Sequence, residues 1–568
     1  MAAAGALLAL AALDGGDLLS ATTFQSTRGD TQQPTRNAVV FAAVYITSAL
    51  SLLACVAHRS RLIYGPAIGF TTVAAAIECG VWGATGSGLG HHEAALLVSE
   101  SAFLADALTF FATAWFLPAA LAAVATLVVV WSLRRLGPRT RSFLPVLALA
   151  VSLMLAFLTV SRTFGKVYEF PVPVRIPVLV AWAANNTAPF YGEREEPRFA
   201  PVAPPRVDHV VLVMDESVSA QFIDATTAPW LHSAPAGVAD YGVAAAISNL
   251  SSATNLILQA GLRPDEFPDS DLRSLKAPNI FSYFSAAGYH AALIDSQTYG
   301  NRPPNAMTGF DLEKIDTHLR LRELRPGTPE HAFDLGAIDD VIDQVKSHDR
   351  SFTYLLKTGA HFPYLEKSPP DQRPLQPTST SSLAPRDPER VRNDYRNAIR
   401  WTADHFLAEL LGALEATGRE VLVVYTSDHG QSLDAALRGE RFAPHATALR
   451  PPVEQAMVPL ILLAAGDESR ALLERNFLPE RRHQTSAFEI FPTLLFLAGY
   501  EGSDVTAAHG PTLFDPAAAR SERIFLSGNV YGGAEGMFVL NPRIGAQGGI
   551  NRFEWQPPAE RLQPSPSP

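Results

Sequence analysis

The first 162 residues contain apolar runs that only a lipid environment accommodates. Ala38–Ala57, Ile63–Ala84, Thr109–Leu133 and Phe143–Ser161 are each close to the ~20 residues that cross a bilayer as a helix. Loop charges set their orientation. Arg59 and Arg61 lie between the first two runs, and Arg134, Arg135, Arg139 and Arg141 between the last two. Basic loops stay on the cytoplasmic side. The segment 85–106 has no Lys or Arg and faces the other way. Everything after Arg162 therefore emerges outside the cytoplasm.

Three details qualify this reading. Ala2–Ala12 is apolar but too short to cross unaided; a signal-like start, a partial helix and the end of a fifth span all fit. Glu78 places a costly charge inside the second run, read as a protonated or hydrogen-bonded Glu facing the bundle. His91-His92-Glu93 lacks a further ligand at suitable spacing and reads as a solvated loop.

From Phe164 to Arg206 prolines and aromatics recur, the mark of an extended linker, with a short interfacial helix near Val178–Ala184. Trp182 and Tyr191 suit the headgroup level. The expected organisation is a transmembrane helical domain over 1–162, a linker over 163–206 and a soluble domain over 207–568.

The soluble part alternates strands and helices. His209–Met214, Tyr289–Ile294, Ser351–Leu356, Val421–Tyr425 and Val458–Ala464 read as strands. Phe281–Ala287, Leu335–Val345, Arg392–Thr417 and Phe488–Ala498 read as helices. That alternation predicts an α/β fold class, a mainly parallel sheet covered by helices on both faces. The net charge of −11, with no basic stretch, argues against a nucleic-acid partner. The only cysteines, Cys55 and Cys79, lie in apolar runs, so the soluble part has neither disulfides nor a thiolate metal site.

Several strands end in metal-ligand residues: Glu216 after the first, His361 after Ser351–Leu356, and Asp428-His429 after Val421–Tyr425. Ligands bind at that end of an open α/β sheet. Asp428 capping a turn with His429 packed beside it is an equally good local reading; the ensemble of strand ends favours a metal or phosphate site. Carboxylate and imidazole suit zinc, and also manganese. A hydroxyl nucleophile has a candidate in Asn249-Leu250-Ser251-Ser252-Ala253-Thr254-Asn255, just before an apolar helical run. Locally an N-cap is the plainer explanation. The alternative is a nucleophile whose phosphorylated form is stabilised by free amides at the helix start.

Taken in order, Asp215-Glu216-Ser217, Ser251–Asn255, Gly359-Ala360-His361-Phe362-Pro363-Tyr364 and Ser427-Asp428-His429-Gly430-Gln431-Ser432 resemble the bacterial phosphoethanolamine transferases. These are membrane-anchored members of the alkaline phosphatase and sulfatase superfamily. The resemblance extends over nearly the whole chain and implies a transmembrane helical bundle followed by a sulfatase-like α/β/α sandwich in the periplasm. It implies that Glu216, Thr254, Asp428 and His429 hold zinc, with manganese an alternative. Thr254 would also be the nucleophile, with His361 and His445 contacting the phosphate or acceptor. The donor would be a phosphatidylethanolamine-like phospholipid and the acceptor an envelope lipid or glycan such as lipid A, in the bacterial inner membrane.

The chain departs from that pattern in places. The family usually has Gly-Glu-Thr where Asp215-Glu216-Ser217 stands, and Cys-Gly-Thr where Ser252-Ala253-Thr254 stands. These departures bear on donor and acceptor more than on reaction type. A phosphoglycerol transferase similar to lipoteichoic acid synthases, a phosphodiesterase and a non-catalytic membrane sensor are the rival readings. The formylglycine mechanism of true sulfatases is excluded, because Ser251–Asn255 lacks the required Pro and Arg and neither cysteine lies in the soluble part.

Overall fold

The computed structural model describes residues 46–85, 112–163, 172–185, 193–433 and 451–556, with short breaks within these stretches. His91, His92, Glu93 and His445 lie outside the described residues, as does Ala2–Ala12. The chain divides into two compact units, Met1–Ala188 and Pro189–Pro568.

In the first unit, α1 (Ile46–Val56), α2 (Arg61–Thr85), α3 (Ala112–Leu136) and α4 (Leu144–Thr163) follow the apolar runs. Among the described residues, two stretches, Arg61–Val81 and Trp115–Arg135, are long and apolar enough to cross a membrane by length and composition. The two Arg-bearing loops lie together. Arg59 N–H donates to the Thr140 carbonyl at 3.0 Å, and Arg134 reaches the Val56 carbonyl at 2.7 Å.

Within the stretch expected to be a linker, the short helix expected near Val178–Ala184 is present and starts earlier, as α5, Val172–Asn185, despite Pro177 inside it. Burial overrides the proline: Val172, Val174, Ile176, Val178 and Leu179 are all buried, and Arg175 pairs with Glu78 of α2 at 2.6 Å. The acid inside the second apolar run is thus compensated by a buried ion pair.

The second unit is built on an eight-stranded sheet. Its strands are β1 (His209–Asp215), β2 (Val238–Ala245), β3 (His290–Asp295), β4 (Thr317–Arg320), β5 (Ser351–Leu356), β6 (Val421–Ser427), β7 (Met457–Ala465) and β8 (Thr485–Ser486). They are ordered β4-β3-β5-β1-β6-β7-β2-β8. The β4-β3-β5-β1-β6 half is parallel, and β7 runs antiparallel to both β6 and β2. The expectation of a mainly parallel sheet holds, with β7 as the exception. β2 escapes the sequence pattern because Gly242 (φ 69°) and a register shift between Asp240 and Val243 interrupt its alternation.

Alternation along β1 shows how the layers form. Val210, Leu212 and Met214 pack into one core, with Ile257 and Phe491 from the helices on that face. Val211 and Val213 pack into the other, with Val341, Tyr395 and Leu410. Each such aliphatic side chain contributes ~1.5–3 kcal/mol on burial. The helices that matter below are α6 (Ser251–Ala260), α7 (Glu330–Ser347), α8 (Pro388–Ile399) and α9 (Phe406–Glu415), the last two joined by a π-turn over Arg400–His405. A smaller antiparallel sheet, β9 (Ile524–Ser527), β10 (Gly536–Arg543) and β11 (Arg552–Gln556), completes the unit.

Candidate active site

The site follows from strand register. β1 and β6 are parallel neighbours, with Asp215 opposite Ser427, so the next residues, Glu216 and Asp428, emerge side by side. The chain then turns sharply. Ser217 takes a left-handed conformation (φ 62°), unusual outside glycine. Hydrogen bonds hold it there: its N–H donates to Asp428 Oδ1 at 2.9 Å, and its hydroxyl donates to Glu216 Oε1 at 2.8 Å. Gly359 packs against this turn so closely that a Cβ would lie 2.2 Å from Asp215 Oδ1, and its φ of 51° also favours glycine. At Gly430 a Cβ would lie 2.1 Å from the Glu454 carbonyl.

Glu216, Asp428 and His429 are all buried, and one ligand atom from each lies within 4.8 Å of the others. His429 Nδ1 sits 3.0 Å from the Gly430 carbonyl, which can only accept, so Nδ1 carries the proton and Nε2 offers its lone pair. That Nε2 is 3.5 Å from Glu216 Oε1 and 3.6 Å from Asp428 Oδ2. Asp428 Oδ1 accepts from Ser217 and His429 N–H groups, whereas Oδ2 is buried without a hydrogen-bond partner. A buried, orphaned carboxylate oxygen beside an imidazole lone pair and a second carboxylate fits a divalent cation of the zinc or manganese type.

The structure separates the two hydroxyls that the sequence groups together. Ser251 Oγ, at the first position of α6, lies 3.5 Å from Glu216 Oε1 and 3.4 Å from His429 Nε2. Thr254 meets the cluster through the main chain of Asp428. Its wholly buried hydroxyl accepts the Ser248 N–H at 3.1 Å and faces the carbonyls of Ser248 and Asp428, each at 3.1 Å. Three residues separate it from Ser251 by about 4.5 Å along the helix axis. Nor does a Ser or Thr cap this helix: the N-cap is Leu250, with no side-chain cap bond.

His361 follows β5 and is half-buried, its Nδ1 2.6 Å from the Phe362 carbonyl. Burial pushes its pKa down to about 4, Lys367 adding to the effect, and it is close enough to His429 and Asp428 to feel both. Gln297, which the motif reading passes over, donates to Glu216 Oε2 at 3.2 Å and to the Lys357 carbonyl at 2.7 Å. The signal for it was the strand end at Asp295, two residues earlier. Underneath, burial pushes the Asp215 carboxyl up while the adjacent Lys357 ammonium pulls it back.

A mainly parallel sheet with carboxylate and imidazole side chains at the ends of β1 and β6, and a hydroxyl at a facing helix start, defines an α/β protein with a candidate metal site at its strand ends. Residues 208–500 match the family model described as Sulfatase, and the chain belongs to that family. Among its relatives, the phosphoethanolamine transferase EptA of Helicobacter pylori is 28% identical over 204 residues, 34% of this chain and 36% of that protein. The chain thus matches about a third of that relative's length. The integral membrane lipooligosaccharide phosphoethanolamine transferase A (EptA) of Neisseria meningitidis has a similar fold. Its TM-score is 0.57 at 14% identity, over 88% of this chain and 95% of that one. The periplasmic domain of EptC from Escherichia coli, solved in complex with Zn, aligns at a TM-score of 0.48 and 18% identity, over 60% of this chain and 94% of that one.

Proposed function

We propose that this chain is a membrane-bound transferase that moves phosphoethanolamine from a phosphatidylethanolamine-like phospholipid to an envelope lipid or glycan, such as lipid A. The helices of the first unit would lie in the bacterial inner membrane as a multi-pass anchor, with the second unit in the periplasm. The basic loops flanking α2 and α3, which meet at one end of the helices, support that orientation. The observation that carries the chemistry is the convergence of the Ser251 hydroxyl with Glu216 and His429 at the start of α6. The choice of phosphoethanolamine rests on the Helicobacter pylori relative.

Glu216, Asp428 and His429 would hold the metal, zinc or manganese by their donor types. When bound there, such a cation lowers the pKa of a contacting hydroxyl and offsets charge on phosphoryl oxygens. Ser251, rather than Thr254, is the nucleophile in this reading. Its oxygen bonds to the donor phosphorus as the bond from phosphorus to the diacylglycerol oxygen breaks, and that oxygen takes up the proton. The amides opening α6, which no side chain caps, face the phosphoserine so formed. The acceptor hydroxyl then attacks the same phosphorus, and the Ser251 oxygen leaves and regains a proton. His361 is placed to contact the phosphoryl group or the acceptor.

The test is mass spectrometry of envelope lipids and glycans from cells with and without the chain. A phosphoethanolamine-sized adduct that depends on Ser251 is the expected result. A phosphoglycerol-sized adduct would replace the donor assignment, and release of free phosphoethanolamine without an adduct would make the chain a phosphodiesterase.

A further inference from the structure

Directly below the ligand turns lies a buried cation. Lys357, the first residue after β5, is wholly buried. Its Nζ lies 2.6 Å from Asp215 Oδ2, donates to the Thr402 carbonyl, and stands 4.0 Å from the centre of the Phe406 ring. Tyr425 donates to the same Asp215 oxygen at 2.7 Å. Each of these donors comes from an element that does not itself carry a ligand, or from the body of a strand rather than its end.

Asp215 is bonded to both ligand turns. Its Oδ1 accepts the Glu216 N–H at 3.0 Å, and its carbonyl accepts the Asp428 N–H at 3.1 Å. The π-turn explains how Lys357 finds its other acceptor. In a continuous α-helix the Phe406 N–H would bond to the Thr402 carbonyl. Here it bonds to the carbonyls of Trp401 and Ala403, and the Thr402 carbonyl turns to the ammonium. Single π-turns inside helices are often found at functional sites. A buried ion pair is not in itself evidence of a role in stability, since well-packed apolar residues often replace one without loss. What sets this one apart is its place: it neutralises the residue that bonds to both turns, through its carboxylate to the Glu216 N–H and through its main-chain carbonyl to the Asp428 N–H.

We propose that Lys357 is a positioning residue that acts through Asp215 to set the separation of the Glu216 and Asp428 carboxylates. The inference rests on the reading of those carboxylates as metal ligands. Removing Lys357 alone leaves a buried carboxylate without its counter-charge, bonded directly to the Glu216 turn. Removing the charge from both partners relieves that penalty but frees the side chain at 215, and with it the Glu216 turn, from the ion pair that fixes its position.

The experiment uses the full chain in detergent, titrated with Co2+ alone and followed by its d–d absorption, with thermal unfolding in parallel. Lys357→Met should weaken Co2+ binding roughly 10- to 100-fold, as loss of an outer partner of a metal ligand does, and alter the band shape. Lys357→Met combined with Asp215→Asn should recover thermal stability while the altered affinity and spectrum persist, an outcome a purely structural pair would not give. Wild-type affinity and spectrum in the double variant would overturn the proposal. Should neither variant accumulate, Lys357→Arg keeps the charge but changes its reach to Asp215, and an unchanged Co2+ affinity and spectrum there would equally overturn it. If wild type and Glu216→Gln bind Co2+ alike, the metal-site reading itself fails and this proposal with it. If wild type binds more tightly than Glu216→Gln and the double variant matches wild type, only the role of Lys357 is lost.

Discussion

Ser251 Oγ stands 3.4 Å from His429 Nε2, at the uncapped start of α6. Three residues on, the Thr254 hydroxyl is enclosed by backbone groups of Ser248 and Asp428. The two residues therefore have different consequences when truncated.

Ser251→Ala is expected to lower transfer by roughly four orders of magnitude or more, the scale seen when a nucleophile is deleted, without changing thermal stability. Thr254→Ala should instead cost ~1–3 kcal/mol of stability, since it strips a buried N–H of its acceptor, and should leave measurable turnover. Intact-protein mass spectrometry after brief exposure to donor lipid separates the two. The phosphoethanolamine adduct should be absent from Ser251→Ala and present in Thr254→Ala. An adduct on Ser251→Ala would return the nucleophile assignment to Thr254.

Asp428→Asn should abolish metal retention, because the orphaned Oδ2 is the atom the substitution neutralises. Elemental analysis of purified wild type and variant reads this directly. Chelation of the wild type should remove transfer, and added zinc or manganese should restore it. Equal metal content in the two proteins would contradict the ligand role of Asp428.

Acid should destabilise the second unit over a defined window. His209 and His509 are buried, each with an unpartnered Nε2, and burial lowers each from an ordinary 6.5 to about 4. As pH falls, the unfolded chain gains these protons near 6.5, whereas the folded chain resists them down to about 4. Stability is therefore intact above pH 6.5 and is lost progressively toward pH 4, by up to ~3 kcal/mol per histidine. Thermal melts across that range check the slope. His209→Asn should flatten it, and an equal slope in that variant would remove His209 from the account.

In the first unit, Arg175→Met should destabilise the detergent-solubilised chain by ~3–5 kcal/mol, because it removes the buried counter-charge of Glu78. Adding Glu78→Gln should recover much of that loss. A double variant as unstable as Arg175→Met would mean that the packing of α5, not the ion pair, sets the cost.

Much of the fold was legible in the chain because each element is locally consistent. The bounds of β5 are those read from Ser351–Leu356, and α7 contains the apolar spacing read over Leu335–Val345. The strand ends at Glu216 and Asp428-His429 could be linked to one another only through the rule that open α/β sheets bind ligands there. β2 was not legible, since a bulge at Gly242 breaks the period that reveals a strand. Only the second half of α5 was legible, as the short helix read at Val178–Ala184; Pro173 and Pro177 signal a break before it, while the apolar side chains there find burial that outweighs it.

By itself the sequence determined the membrane-length runs, the strand–helix alternation, and a ligand-rich set of strand ends, all properties of local pattern and composition. Tertiary structure alone decided which hydroxyl of Ser251–Asn255 faces the ligands, because that depends on the level at which α6 meets β1 and β6. It also decided that Asp215, a departure from the family pattern, is matched by Lys357. A buried charge and its counter-charge 142 positions away leave no periodic trace in a chain; only the packing of β5 and the π-turn against β1 brings them together.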